Sequence, residues 1–258
     1  MVTTLLVAEV IERMSTGLWP FARIAALLMV APVLSIDAVT VRIRIAFAFV
    51  LTVLVYPFFE WPVIDPTTAR GLLEIFNQIS IGLLMGLMLQ VVVAAIVVGG
   101  QTISGTMGLS MASMVDPNVG NVPTLASFLL MISSLIFLAL GGHVLLLELL
   151  IQSFEYLPVG KGLLSLNAFG AFVSWTSMMF LGAVLLALPI MVILLAVNIG
   201  LGVVVRAAPT LNIFAVGFPA MILVGLVVLY ILMGAMSARM VWLWTQGFDQ
   251  LRAMLGMA

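Results

Sequence analysis

Charge is what this sequence has least of. Nine basic and ten acidic side chains among 258 residues amount to 7%, against about a quarter in an ordinary soluble domain, and so few cannot clothe a soluble body of this length. Cysteine is missing altogether, which excludes disulfides and thiolate metal sites and leaves the compartment open. Basic clusters are missing too: nothing exceeds Arg42-Ile43-Arg44, and with a net charge of −1 a nucleic-acid partner is set aside. There is one histidine, His143, and no second ligand type near it, so metal chemistry is not expected. Neither a phosphate loop, nor a dinucleotide glycine fingerprint, nor an HExxH pair occurs. No cofactor is expected, and the chain reads as a non-enzyme.

What is there is apolar. Hydrophobic residues make up 64% of the chain, and the reading is an all-α integral membrane protein. A spanning helix needs about 20 mostly apolar residues, because each adds only about 1.5 Å toward some 30 Å of hydrocarbon. About six segments qualify, near 14–34, 45–60, 79–100, 125–151, 172–205 and 211–237. Several are poor lipid spans. The first carries Arg13, Pro20 and Arg23, the second stops at Tyr56-Pro57, and the fifth is too long for one crossing and holds Pro189. Irregular backbone and stray charge are tolerated at membrane depth only where protein or a water-filled cavity surrounds them. Packing against other subunits is therefore expected.

Six crossings place Arg13, Arg70, Lys161, Arg239 and Arg252 on one side and Arg42, Arg44 and Arg206 on the other, which favours cytoplasmic termini. The opening MVTTLLVAEVIERM has no basic start and no small-residue cleavage site. Insertion is expected to use the internal helices.

Helix faces carry further information. Gly82, Gly86, Gln90 and Ala94 recur every four residues, a small-residue stripe with one amide, by which membrane helices approach closely and hydrogen-bond. The stripe fits packing within the chain, or an intersubunit seam. Asn198, Gly202 and Arg206 stack at the same spacing before Ala207-Ala208-Pro209. An arginine at membrane depth needs a carboxylate, helix-end carbonyls or water; an interfacial position before the proline turn serves equally.

One stretch departs from all this: GGQTISGTMGLSMASMVDPNVGNVPTL, residues 99–125. Met107, Met111 and Met114 fall at helical spacing, with Gly105 and Gly108 weakening the helix. Methionine is unbranched and polarizable, so such a face can seal and then repack; gap-filling in a core is the plainer reading. Asp116-Pro117-Asn118 stops a helix, and Gly120, Asn121 and Pro123 make a loop. A broken-helix loop at membrane depth lines a cavity or is covered by neighbours, which points to a pore, a gate or a substrate path.

Residues 82–160, from GLLMGLMLQVVV through the stretch above to SFEYLPVG, resemble the FliR family of flagellar biosynthetic proteins and its counterparts in virulence-associated type III secretion. Val41-Arg42-Ile43-Arg44-Ile45-Ala46 and NIGLGVVVRAAPTLNIFAVGFP, residues 198–219, carry the same likeness in matching order. The resemblance implies a subunit of a type III protein export gate at the flagellar basal body in the bacterial inner membrane. It implies assembly with FliP-like and FliQ-like subunits in a right-handed helical complex holding one FliR-like chain, with FlhB-like and FlhA-like export components alongside. It further implies that residues 1–258 form one integral membrane domain resembling a fused FliP-like and FliQ-like unit, its helices kinked hairpins, partly above the membrane plane.

The family's channel plug corresponds to residues 105–121, so Gly105, Met107, Gly108, Met111, Met114, Asp116, Pro117, Asn118 and Gly120 are the implied gate. Unfolded export substrates would displace it, with energy supplied elsewhere in the apparatus. Relatives often carry an aromatic residue where this chain has Met111, so a ring-based seal does not follow. Gly82, Gly86, Gln90, Asn198, Gly202 and Arg206 are the implied packing and interface positions. Two other classes are weaker. A small-solute secondary transporter built on Arg206, Asp116 and a broken helix lacks the internal repeat such folds carry. An intramembrane serine protease using Ser110 and His143 lacks any mark of an oxyanion site.

Overall fold

The computed structural model describes residues 2–32, 39–109, 124–161, 166–207 and 213–257. Among them the regular structure is helical: α1 (Val2–Val30), α2 (Val41–Val55) with a 3-10 turn at Tyr56–Phe58, α3 (Ala69–Thr106), α4 (Thr124–Ala139), α5 (Gly142–Tyr156), α6 (Leu166–Ala207) and α7 (Ile213–Leu255). The fold is all-α, as the composition requires.

The apolar segment near 125–151 divides into α4 and α5. Gly141 sits between them at φ +69°, the left-handed region that a residue with a Cβ enters at a cost. Conversely, the long fifth segment does not divide: α6 runs 42 residues through Pro189, although that proline cannot donate to the carbonyl of Leu185. Among the described residues, four helical stretches are long and apolar enough to cross a membrane, beginning at Val41, Ala69, Asn167 and Pro219, and a fifth arises if α4 and α5 count as one broken span. The first apolar segment, within α1, is not among them.

The chain forms two compact units. One comprises Met1–Val91, Gly141–Thr176 and Gly247–Ala258; the other comprises Val92–Leu140 and Ser177–Gln246. In the first, α1 and α2 pair as a hairpin, joined at one end by Thr16 Oγ1 and the Tyr56 hydroxyl, 2.8 Å apart, and at the other by Arg44 Nη1 donating to the Met29 carbonyl at 3.4 Å. The connection into α3 is a polar turn. Asp65 Oδ1 accepts from Thr67 N at 2.9 Å and Thr67 Oγ1 at 2.7 Å, and Thr68 Oγ1 accepts from Gly71 N at 3.1 Å, capping the new helix. Behind it, Trp61 and Phe154 meet edge to face at 5.3 Å, with Tyr56 and Phe59 around them.

In the second unit glycines set the helix spacing. A Cβ on Gly99 would meet Leu186 Cδ2 at 3.0 Å, one on Gly100 the Ala126 Cα at 2.7 Å, and one on Gly182 the Leu243 Cδ2 at 2.8 Å. Close approach of backbones in this manner is how apolar helices gain dispersion where water gives them no drive to associate. Trp244 adds a polar tie, its Nε1 donating to Ser133 Oγ at 3.0 Å while its ring lies 4.7 Å from that of Phe137.

Candidate functional site

The candidate gate begins where α3 stops. Met107 N still donates to the Ile103 carbonyl at 3.0 Å, the last helical bond, and Gly108 N donates to Gly105 O at 3.0 Å with Gly108 itself at φ +79°. A glycine in the left-handed region is the usual helix terminator. The helix that leads to Met107 therefore ends at Gly108. Met111, Met114, Asp116, Pro117, Asn118 and Gly120 lie outside the described residues.

Met107 is wholly buried. Its side chain lies on Gly225 of α7, where a Cβ would meet Cε at 2.6 Å, Cγ at 2.7 Å and Sδ at 3.0 Å. Gly105, two residues earlier, is exposed with open space around its missing Cβ. The root of the stretch is thus one anchored methionine between two glycines. Beside it, a groove of about 470 Å³ is lined by Thr102 and Thr106 of α3 and by Phe180, Leu188 and Asn198 of α6.

The small-residue stripe of α3 lies against α1. A Cβ on Gly82 would collide with the Arg23 carbonyl, one on Gly86 would meet Val30 Cβ at 3.0 Å, and Gln90 Nε2 donates to the Val30 carbonyl at 2.8 Å. The stripe continues toward the N-terminus of α3 in polar residues that sequence reasoning did not single out. Arg23, fully buried on α1, donates from Nε to Gln78 Oε1 at 2.7 Å, and Gln78 Nε2 donates to Glu74 Oε1 at 2.6 Å. Its other arms cap α5: Nη1 donates to the Ser153 carbonyl at 2.7 Å and to Ser153 Oγ at 3.0 Å, and Nη2 to the Leu157 carbonyl at 2.7 Å. The guanidinium carbon stands 4.3 Å above the Phe154 ring.

A cation at the carbonyl end of a helix is held by the backbone dipole and by otherwise unpaired acceptors. The spacing Glu74, Gln78, Gly82, Gly86, Gln90 was the available signal. In sequence, Arg23 presents itself only as a flaw in an apolar segment.

Asn198, Gly202 and Arg206 stack on the last turns of α6, and all three are exposed. Arg206 lies in the final turn of that helix, where a cation is favoured. His143 is exposed on α5, and among the described residues no group of three or more His, Cys, Asp or Glu side chains is arranged to hold a metal ion. Ser110 lies outside the described residues.

Residues 14–247 match the family model described as bacterial export proteins, family 1. The chain is similar to the flagellar biosynthetic protein FliR of Pectobacterium carotovorum subsp. carotovorum, with 35% identity over 96% of this chain and 95% of the relative. FliR of Escherichia coli (strain K12) is 37% identical over 83% of each chain, and FliR of Bacillus subtilis (strain 168) is 30% identical over 87% of this chain and 88% of the relative.

Proposed function

The chain belongs to the bacterial export proteins, family 1, and from that premise we propose that it is a component of the flagellar export apparatus, one subunit of the gate through which unfolded flagellar proteins leave the cytoplasm. The observation that carries this reading is the similarity to FliR proteins along almost the whole chain. We place it in the inner membrane at the basal body, assembled with FliP-like and FliQ-like subunits and next to FlhB-like and FlhA-like components. The exposed faces support such company: α6 presents Leu188, Val192, Leu195, Ile199 and Val203 along one stripe, and α2 is apolar on nearly every side. Patches of that extent need lipid or protein against them.

Within the gate, residues 105–121 form the closure. Met107, Met111 and Met114 supply soft apolar contact that keeps ions out, Gly105, Gly108 and Gly120 supply hinge freedom, and Asp116-Pro117-Asn118 sets where the stretch turns. Gly82, Gly86 and Gln90 hold α3 in place, while Asn198, Gly202 and Arg206 face a neighbouring subunit. No bond is made or broken by this chain.

Deletion of residues 106–120 tests the closure. The complex is expected to assemble and to leak small ions and solutes; a membrane as tight as that of the unaltered complex would overturn the assignment. Copurification of the chain with FliP-like and FliQ-like proteins, followed by mass measurement of the complex, tests the partners. Solute uptake by cells expressing this chain alone would point instead to a small-solute transporter.

A further inference from the structure

Between α1 and α2 runs a second groove of about 470 Å³. Arg13, Gly17 and Phe21, four residues apart on α1, line one wall; Phe49 and Val53 of α2, with Tyr56 just beyond it, line the other. We propose that this groove binds an anionic phospholipid such as phosphatidylglycerol, with one acyl chain lying between the helices and the phosphate on Arg13.

The groove is open because α1 has a glycine where a side chain would fill it: nothing lies within 4 Å of the place that a Cβ on Gly17 would take. A gap left by one missing side chain admits a single hydrocarbon chain, whereas a partner helix is about 10 to 12 Å across. The hydroxyls along it are already engaged. Thr52 Oγ1 donates to the Ala48 carbonyl at 2.7 Å, and the Tyr56 hydroxyl lies 2.8 Å from Thr16 Oγ1. The interior therefore suits an apolar occupant. Character changes at one end, where Arg13 is exposed one turn before the Thr16–Tyr56 contact and Trp61 Nε1 donates to the Tyr56 carbonyl at 2.8 Å. Arginine, tyrosine and tryptophan are the side chains that collect where helices leave hydrocarbon for water.

The dimensions agree with a lipid. Arg13 to Phe21 is about 12 Å of helix at 1.5 Å per residue, against about 15 Å for one leaflet, half the hydrocarbon thickness. The α2 wall belongs to a stretch apolar enough to cross a membrane, and its Phe49 and Val53 are 62% and 58% exposed, so the groove opens outward. Among the described residues that line it there is no carboxylate. A phosphate meets a cation at its mouth, whereas the ammonium of phosphatidylethanolamine finds no acidic partner on its walls.

Phosphatidylglycerol carrying a diazirine on its acyl chain, doped into phosphatidylcholine vesicles that hold the full chain within its export complex, provides the test. Irradiation should label segments 14–21 and 49–53, mapped by peptide mass spectrometry. Arg13→Gln should lower that labelling about tenfold through loss of one charge-assisted contact, and Gly17→Leu, whose side chain enters the open space, should abolish it. The matching phosphatidylethanolamine probe should label the unaltered protein about tenfold less at these segments. Equal labelling by the two lipids, or undiminished labelling of the Arg13→Gln protein, would overturn the anionic site. Protection of both segments from either lipid would assign the groove to a neighbouring subunit and overturn it likewise. Should Gly17→Leu fail to assemble, the head-group comparison on the unaltered protein decides. The site contains none of residues 105–121, so its result and that of the 106–120 deletion are independent.

Discussion

Arg23 shows how a residue that is costly in isolation becomes structural in context. Its guanidinium satisfies the Gln78 side chain and two helix-end carbonyls of α5 at once, a geometry that a planar fork can meet and an ammonium cannot. Replacing Arg23 by Lys should therefore lower the unfolding free energy by about 2 to 3 kcal/mol, the cost of buried acceptors left without donors, read as a drop in Tm of the purified complex in detergent. Arg23→Met removes the charge as well and leaves Glu74 to the side-chain amides of Gln78 and Asn77, so its loss should be larger. A variant with unchanged Tm would mean that α5 is held by other contacts.

Asp65 offers a milder case at the same scale. Hydrogen bonds from the Thr67 hydroxyl and then from its backbone N–H hold the Asp65 carboxyl below the ordinary carboxylate value. A depressed folded-state pKa contributes stability that is complete above the unfolded value and lost as pH falls through the folded one, so this turn should loosen only in acid, below the usual aspartate range. Thr67→Val removes the larger of the two donations. The Asp65 titration midpoint, followed by NMR in labelled protein, should rise toward the ordinary value; a midpoint that stays put would assign the shift to the backbone alone.

At the scale of elements, the pairing of α1 with α3 depends on what α3 lacks. The carbonyl of Arg23 occupies the space where a side chain on Gly82 would begin, so even Gly82→Ala forces the helices apart, at a cost of about 1 to 3 kcal/mol for such overpacking. Because the same shift would pull Arg23 away from Gln78, the penalties of Gly82→Ala and Arg23→Lys should be sub-additive in the double variant. Thermal unfolding of the two singles and the double measures it; simple additivity would show the stripe and the polar cluster to be independent. Gln90→Leu, by contrast, removes one hydrogen bond to Val30 and should cost about 0.6 kcal/mol.

For the whole molecule, length matters as much as apolarity. Helices α3, α6 and α7 contain 38, 42 and 43 residues, about 57 to 65 Å at 1.5 Å per residue, roughly twice the hydrocarbon thickness of a bilayer. Each outreaches a simple crossing, and in α6 and α7 much of the surface is apolar and exposed, as at Ile199, Val203, Leu223 and Tyr230. The chain should accordingly be short-lived alone. Co-expression with FliP-like and FliQ-like proteins is expected to raise its steady-state amount several-fold over expression by itself, measured by pulse-chase; equal lifetimes would mean that lipid alone covers these faces.

The all-α class, the position of the apolar segments and the family itself were legible in the residues taken one after another. Apolar content and helical spacing act over a few turns, and signatures such as residues 198–219 are contiguous. Gly141 shows where this ended: an apolar run near 125–151 looks continuous until the backbone is seen to turn at one glycine, while Pro189, the stronger breaker by local rules, does not end α6. The candidate site divided in the same way. Methionines and glycines of the stretch from 105 onward declared themselves by composition, but the partner of Met107 lies 118 residues further along, and Arg23 meets its acceptors across separations of 55, 130 and 134 residues. Contacts of that range depend on which helices are brought side by side, and only packing in three dimensions decides that.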